Sequence, residues 1–317
     1  VGTYFFYTQL SVFLTKLLQK NRSLFWKKTN IITFSSLAYR LKDNARMFFM
    51  VTIVSTVAFC AVGTLASMTV LNKEFQENYP AAISYLAKSD EPIHEKNIQQ
   101  INKELIEKKV VFSTLTIPIK YVEIKDSSDK YAHEKMPIIA FSDYKSSSEM
   151  AGYTFTEKEL TETEAFALLT SSLETFDSNT YTLEQENIKL VQNKATEHVV
   201  FPYQILFSEG LVVSDKLYQK LSAVSTDTFT GFYTDELEKT AGIANHLAKS
   251  REGVKFAPRD TEAVDPKEFA MTVSGTLYYT QMSMYRMSLF VALLIGAVFF
   301  IAAGSFLYFR LYADLEY

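Results

Sequence analysis

Cysteine is nearly absent from this chain. Cys60 stands alone, so no intrachain disulfide is possible and any external domain must be held by its core. Catalytic and nucleotide motifs are missing as well. No G-x-x-x-x-G-K-[ST] run occurs, so the chain has no P-loop to cradle ATP phosphates. HEKNI at His94 and HEKMP at His133 start like zinc-protease helices but lack the second histidine at the fifth place. G-x-S-x-G is absent, and the S-x-x-K matches Ser127–Lys130 and Ser142–Lys145 have no K-T-G or S-D-N partner. The four histidines, His94, His133, His198 and His246, are far apart in sequence and are expected as solvated surface residues. Catalytic, metal and cofactor residues are therefore expected to be none, and no internal repeat or low-complexity tract is seen.

Charge is absent in a more telling way. Met47 to Asn72 holds no charged residue over 26 positions, and Met287 to Phe309 holds none over 23. At about 1.5 Å per residue the first run makes a helix near 39 Å long, enough for a hydrocarbon core of about 30 Å. Acids are scarce before these runs: Asp43 stands among Lys16, Lys20, Arg22, Lys27, Lys28, Arg40, Lys42 and Arg46. Between Lys73 and Tyr285 the balance reverses to 33 acids and 22 Lys/Arg, a net charge of −11. Basic loops on one side of two apolar runs follow the positive-inside pattern. The fold class expected is therefore α-helical transmembrane segments flanking a large mixed α+β extracellular domain.

In chain order, residues 1–18 are expected to end a membrane helix, since Val1 to Thr15 is uncharged and aromatic but too short to span. Residues 19–46 form a cytoplasmic loop with Trp26, Lys27 and Lys28 at the headgroup layer, then an amphipathic elbow. There Ile31, Phe34, Ala38, Leu41 and Ala45 share a face, and Arg40, Lys42 and Arg46 serve as interface anchors. The chain is then expected to turn and cross as helix 47–72, reaching a break near Pro80. Residues 286–310 return inward, leaving 311–317 as the start of a cytoplasmic loop. Gly63 and Ser67 on one helix, with Ser288, Ala292 and Gly296 on the other, present small faces for helix packing.

Within 73–285, Ile93, Ile98, Ile101, Leu105 and Ile106 predict a surface helix. Val110–Ile124 reads as a strand in which Pro118 favours an edge or bulge. Met136–Phe141, Thr180–Val191 and Thr228–Tyr233 read as strands, and Glu157–Leu169 and Asp235–Lys249 as helices. GLVVSDKLYQKLSAV from Gly210 predicts a buried strand running into a helix capped by Ser214 or Asp215. The acidic surface would draw cationic ligands and disfavours nucleic acid.

SLAYRLKDNAR leading into FFMVTIVSTVAFCAVGTLAS resembles the start of an FtsX-like permease repeat. That elbow, about 210 external residues, and a last helix followed by LYADLEY are together similar to permeases of bacitracin-type antimicrobial-peptide ABC transporters. The resemblance implies a bacterial plasma-membrane, multi-pass permease subunit that senses and removes peptides bound to lipid-linked cell-wall precursors, giving resistance. It implies a partner ATPase, touched here through Tyr312, Asp314, Leu315, Glu316 and Tyr317, and a membrane histidine kinase. An alternative remains open at this point: a non-transporting receptor or scaffold that binds a ligand and signals to a kinase.

Overall fold

The computed structural model describes residues 30–129, 132–172, 176–206, 210–249 and 267–315, with Gly2, Phe5, Phe6, Gln9, Val12 and Phe13 before them. It divides into two compact units, Val1–Thr69 with Ser283–Tyr317, and Val70–Met282.

The first unit is built on stretches of two long helices, α1 (Asn30–Asn78) and α6 (Ser274–Leu315). Helix α1 is unbroken at Arg46–Met47, where a turn was expected; neither Pro nor Gly occurs between Asn30 and Val62 to interrupt it. Among the described residues, one helical stretch, Ser274–Ser305, is long and apolar enough to cross a membrane, and Phe49–Thr64 is a shorter apolar stretch. Phe290, Leu294, Val298 and Ile301 on α6 are exposed, which suits a helix whose surroundings are themselves apolar. Hydroxyls on both helices bond back to their own backbone. Thr56 donates to Thr52 O, Thr64 to Cys60 O and Ser288 to Met284 O at 2.8–3.0 Å, so these three hydroxyl protons are paired within their own helices.

The second unit is a nine-stranded mixed sheet covered by short helices. In chain order its strands are β1 (Ile83–Ala87), β2 (Ser113–Ser127), β3 (Lys135–Ala140), β4 (Glu164–Leu168), β5 (Asn179–Leu183), β6 (Lys189–Ala195), β7 (Gly210–Val213), β8 (Ser225–Tyr233) and β9 (Phe269–Val273). Its helices are α2 (Pro92–Glu107), α3 (Phe141–Met150), α4 (Asp215–Lys220) and α5 (Asn245–Lys249). The order is β3-β7-β4-β6-β5-β2-β8-β1-β9, and a further β2–β3 pairing joins the first strand of that series to the sixth. Six strands therefore close on themselves as a ring, while β8, β1 and β9 extend the sheet from β2.

Period-two alternation sorts the side chains. Ile138, Ala140, Leu211, Val213, Ala165 and Leu190 fill the ring, and Leu217 and Tyr218 of α4, with Leu221 just after it, pack with them. Their neighbours Ile139, Val212, Phe166 and Leu168 point the other way, into a second core with Phe141 and Tyr144 of α3. A third core lies under α2, where His94, Asn97, Ile101 and Leu105 are buried; Ile93 and Ile106, expected on that stripe, are exposed.

Pro118 lies opposite Thr228 in the β2–β8 pairing, and its carbonyl accepts from the Tyr218 hydroxyl at 2.9 Å instead of from β8. Its nitrogen shares that orientation, so the missing N–H removes no ladder bond. Three expected elements differ. Glu157–Leu169 is not a helix: 153–161 is irregular, and Glu164–Leu168 is strand β4 between β6 and β7, where tertiary pairing outweighs helix propensity. Thr180–Val191 is two strands, β5 and β6, around a 3-10 turn at Gln185–Asn187, with Asn187 at φ 49°. Asp235–Lys249 is broken into a 3-10 turn, Leu237–Thr240, and α5, because Gly242 and Ala244 take φ of 79° and 53°.

Candidate functional site: an acid-lined cavity where two parallel strands end

Strands β3 and β7 run parallel, with Ile138 opposite Leu211, Ile139 opposite Val212 and Ala140 opposite Val213. Each is followed directly by a helix. The helix after β3 packs outside the ring and the helix after β7 packs with its interior, so the chain departs from two adjacent strands in opposite directions. Such a divergence leaves a crevice beyond the carboxyl ends of the strands. Here it is a cavity of about 540 Å³. Phe141 of α3 and Leu160 supply its apolar lining, Ser214, Asp215 and Lys216 line it at the start of α4, and Glu159, Thr161 and Glu162 line it from the 153–162 segment.

The polar groups at this mouth hold one another. Ser214 Oγ accepts from the Leu217 N–H at 3.4 Å, capping α4, and Asp215 Oδ1 accepts from the Ser142 N–H at 2.9 Å, capping the neighbouring helix. Burial raises the Asp143 carboxyl above its ordinary value, and the Asp215 charge adds to that. Glu162 is held down by its hydrogen bond and charge contact with Lys220, 2.5 Å away. At the far end of α4, Lys120 Nζ donates to Tyr218 O and Leu221 O at 2.8 Å each and sits 4.5 Å from the Tyr218 ring centre. Burial pushes the Tyr218 hydroxyl up to about 12. The lining offers carboxylates, hydroxyls and one ammonium, a set suited to receiving cationic or hydrogen-bond-donating groups. Among the described residues, no group of three His, Cys, Asp or Glu is placed to hold a metal.

Sequence reasoning gave no role to Glu159, Glu162 or Asp215 in a site. The one available signal was the strand–cap–helix pattern at Gly210–Lys220, because the cavity depends on which strands become neighbours. His94, expected at the surface, is buried, and its Nδ1 is 2.8 Å from the Tyr85 hydroxyl, to which Asn97 also donates at 2.9 Å. Burial holds Tyr85 up at about 12. His198 is half-buried on the Tyr153 ring at 4.1 Å, His133 is half-buried, and exposed His246 lies 3.6 Å from Glu104.

The expected membrane residues are placed as follows. Trp26, Lys27 and Lys28 lie outside the described residues, as do Glu316 and Tyr317; Arg40, Lys42 and Arg46 lie on the helical backbone of α1. A Cβ built on Gly63 would meet nothing within 4 Å, and Ser67 Oγ bonds Thr64 O. Ser288 is exposed and Ala292 half-buried on α6, while a Cβ on Gly296 would stand 2.7 Å from Val57 Cγ1. Tyr312 is exposed, and Asp314 and Leu315 end the backbone of α6.

No family model matches the chain. Three proteins of Bacillus subtilis (strain 168) align along all of it. ABC transporter permease protein YxdM is 29% identical over 326 residues, covering 100% of this chain and 48% of YxdM. The uncharacterized ABC transporter permease YvcS is 25% identical over 329 residues, covering 100% and 49%. Bacitracin export permease protein BceB is 22% identical over 341 residues, covering 100% and 48%. The homologues are ABC transporter permeases. The chain spans about half the length of these permeases, and the alignments run through the mixed-sheet unit as well as the apolar helices.

Proposed function

We propose that this chain is half of the permease subunit of a bacterial ABC transporter that senses and removes antimicrobial peptides of the bacitracin class, conferring resistance. The observation that carries it is the end-to-end alignment with three permeases, one of them named for bacitracin export. Segments 47–72 and 287–309 cross the plasma membrane, and residues 73–285 face outside. Arg40, Lys42 and Arg46, with Trp26, Lys27 and Lys28, anchor the inner interface. Gly63, Ser67, Ser288, Ala292 and Gly296 serve helix packing, and Tyr312, Asp314, Leu315, Glu316 and Tyr317 approach a separate ATPase subunit. A membrane histidine kinase reads the state of the complex. The acid-lined cavity and the net charge of −11 across 73–285 favour a ligand carrying cationic groups.

The test is reconstitution of the full-length permease with its ATPase in proteoliposomes. Bacitracin-class peptide should stimulate ATP hydrolysis, and the triple exchange of Arg40, Lys42 and Arg46 to Glu should abolish both insertion and stimulation. Peptide binding with no change in hydrolysis would instead assign the protein to a receptor or scaffold.

A further inference from the structure

The eleven residues between α3 and the turn before β4 have no regular structure, yet they are tied down at every few positions. Phe155 packs edge-on against Phe141 and Tyr144, with ring centres 5.5 and 5.6 Å apart, and Lys145 lies over it at 5.8 Å. Tyr153 stacks flat on His198 at 4.1 Å. Thr156 donates to Glu197 Oε2 at 2.8 Å, and the Glu197 N–H donates to Glu157 Oε1 at 2.7 Å. Past these ties the same segment turns Glu159–Glu162 into the wall of the cavity, where Glu162 meets Lys220. The segment is thus a strap across α3, clipped to residues 197–198 on one side and forming the cavity wall on the other.

We propose that this strap is a latch held by Glu157, and that it releases as Glu157 loses its proton, opening the cavity wall at Glu159–Glu162.

Glu157 is poorly placed as an anion. Its Oε2 is buried without a hydrogen-bond partner, and the Glu197 carboxylate is a like charge close by. The groups facing it are the Tyr144 hydroxyl from α3 and Glu197 and His198 from the opposite segment; Tyr153 stands behind His198, with the charge of Glu77 acting on it. Burial is the largest cause raising Glu157 above its ordinary 4.5, and the hydrogen bond from the Glu197 N–H and the nearby Tyr144 hydroxyl oppose that only in part. The latched state therefore binds the proton more tightly than the open state, where the carboxyl is solvated. Latching is favoured below the ordinary carboxyl value and weakens as pH rises through the elevated one. Tyr144 does not titrate alongside it: its hydroxyl accepts from the His198 N–H at 3.3 Å and is itself raised by burial and by the Glu157 charge, so it stays neutral throughout.

Hydrogen–deuterium exchange of the full chain in detergent, corrected for the intrinsic pH dependence of amide exchange, tests the latch. Amides 153–162 should exchange at least about threefold faster at pH 8 than at pH 5, while those of β2 and β8 stay unchanged. Glu157→Gln keeps the acceptor for Glu197 and cannot ionise, so its strap should be protected at both pH values. Glu197→Gln removes the like charge and should move the transition to lower pH. A wild-type strap with no pH dependence would overturn the proposal. So would a strap in Glu157→Gln that still loosens with pH, or an unmoved transition in Glu197→Gln.

Discussion

Replacing Gly275 with Ala should destabilise the mixed-sheet unit, although an Ala inside a helix is ordinarily the better residue by about 1 kcal/mol. Gly275 is the second residue of α6, and the 237–241 turn passes against it. A Cβ there would overlap Thr240 Oγ1 and Leu237 O and lie 2.8 Å from Ala241 N. Two of those three atoms are backbone, and neither is free to retreat: Ala241 N donates to Glu238 O, and Leu237 O accepts from Thr240 Oγ1 at 2.7 Å. The next bond along, Gly242 N–H to Thr276 Oγ1 at 3.0 Å, also holds the turn to the helix start. Overpacking against fixed atoms costs about 1–3 kcal/mol, and at roughly 2–4 °C per kcal/mol the midpoint should fall by about 2–12 °C. Thermal unfolding followed by near-ultraviolet circular dichroism of the detergent-solubilised chain reads this directly. Adding Thr240→Ala should restore only part of the loss, since the carbonyl of Leu237 stays in the way. An unchanged midpoint in Gly275→Ala, or full rescue by Thr240→Ala, would refute the close-approach reasoning.

Other substitutions separate the remaining contributions. Asp227, fully buried on β8, meets Lys88 Nζ at 3.1 Å, so Asp227→Ala should cost about 3–5 kcal/mol, readable as a lowered denaturation midpoint. Ser214→Ala removes the cap of α4 and should cost about 1 kcal/mol in the same assay, with Ser214→Thr recovering most of it. Gly296→Ala should disturb the first unit through Val57, whereas Gly63→Ala meets open space. Cross-linking yield between cysteines placed at 57 and 296 should exceed that for a 63–296 pair. Tyr85→Phe strips the shared hydroxyl from His94 and Asn97 and should cost about 1–3 kcal/mol, measured by chemical denaturation.

Local chemistry was legible where it was self-contained. The uncharged runs and the Ser214 cap each depend on a few neighbouring residues, and each could be read from them. The strap was not legible: Glu157–Leu169 has helix-forming residues, and only the neighbours of Phe166 and Ala165 across the ladder make it a loop and a strand. His94 was misplaced for a related reason. Its burial depends on Tyr85 from another element supplying a hydrogen-bond partner, which composition cannot reveal. The cavity combines both difficulties, since Asp215 and Glu159 meet only because β3 and β7 lie side by side.

The attachment of the long helices to the sheet has a mechanical consequence. Helix α1 leads into β1 at Ile83, and β9 passes into α6 at Val273 with no intervening residue. Ile83 and Val273 are partners in the antiparallel pairing, so both load points lie at one end of the same five-rung ladder. Opposed forces on the two helices would peel that ladder rung by rung from this end, a much weaker mode than shear along the strands. Ser274 sits where the peeling would start, with its N–H bonded to Ala82 O at 2.9 Å and its hydroxyl to Ala81 O at 2.8 Å. Those two bonds act as a rivet at the root of the ladder, and they must break before the first rung can open.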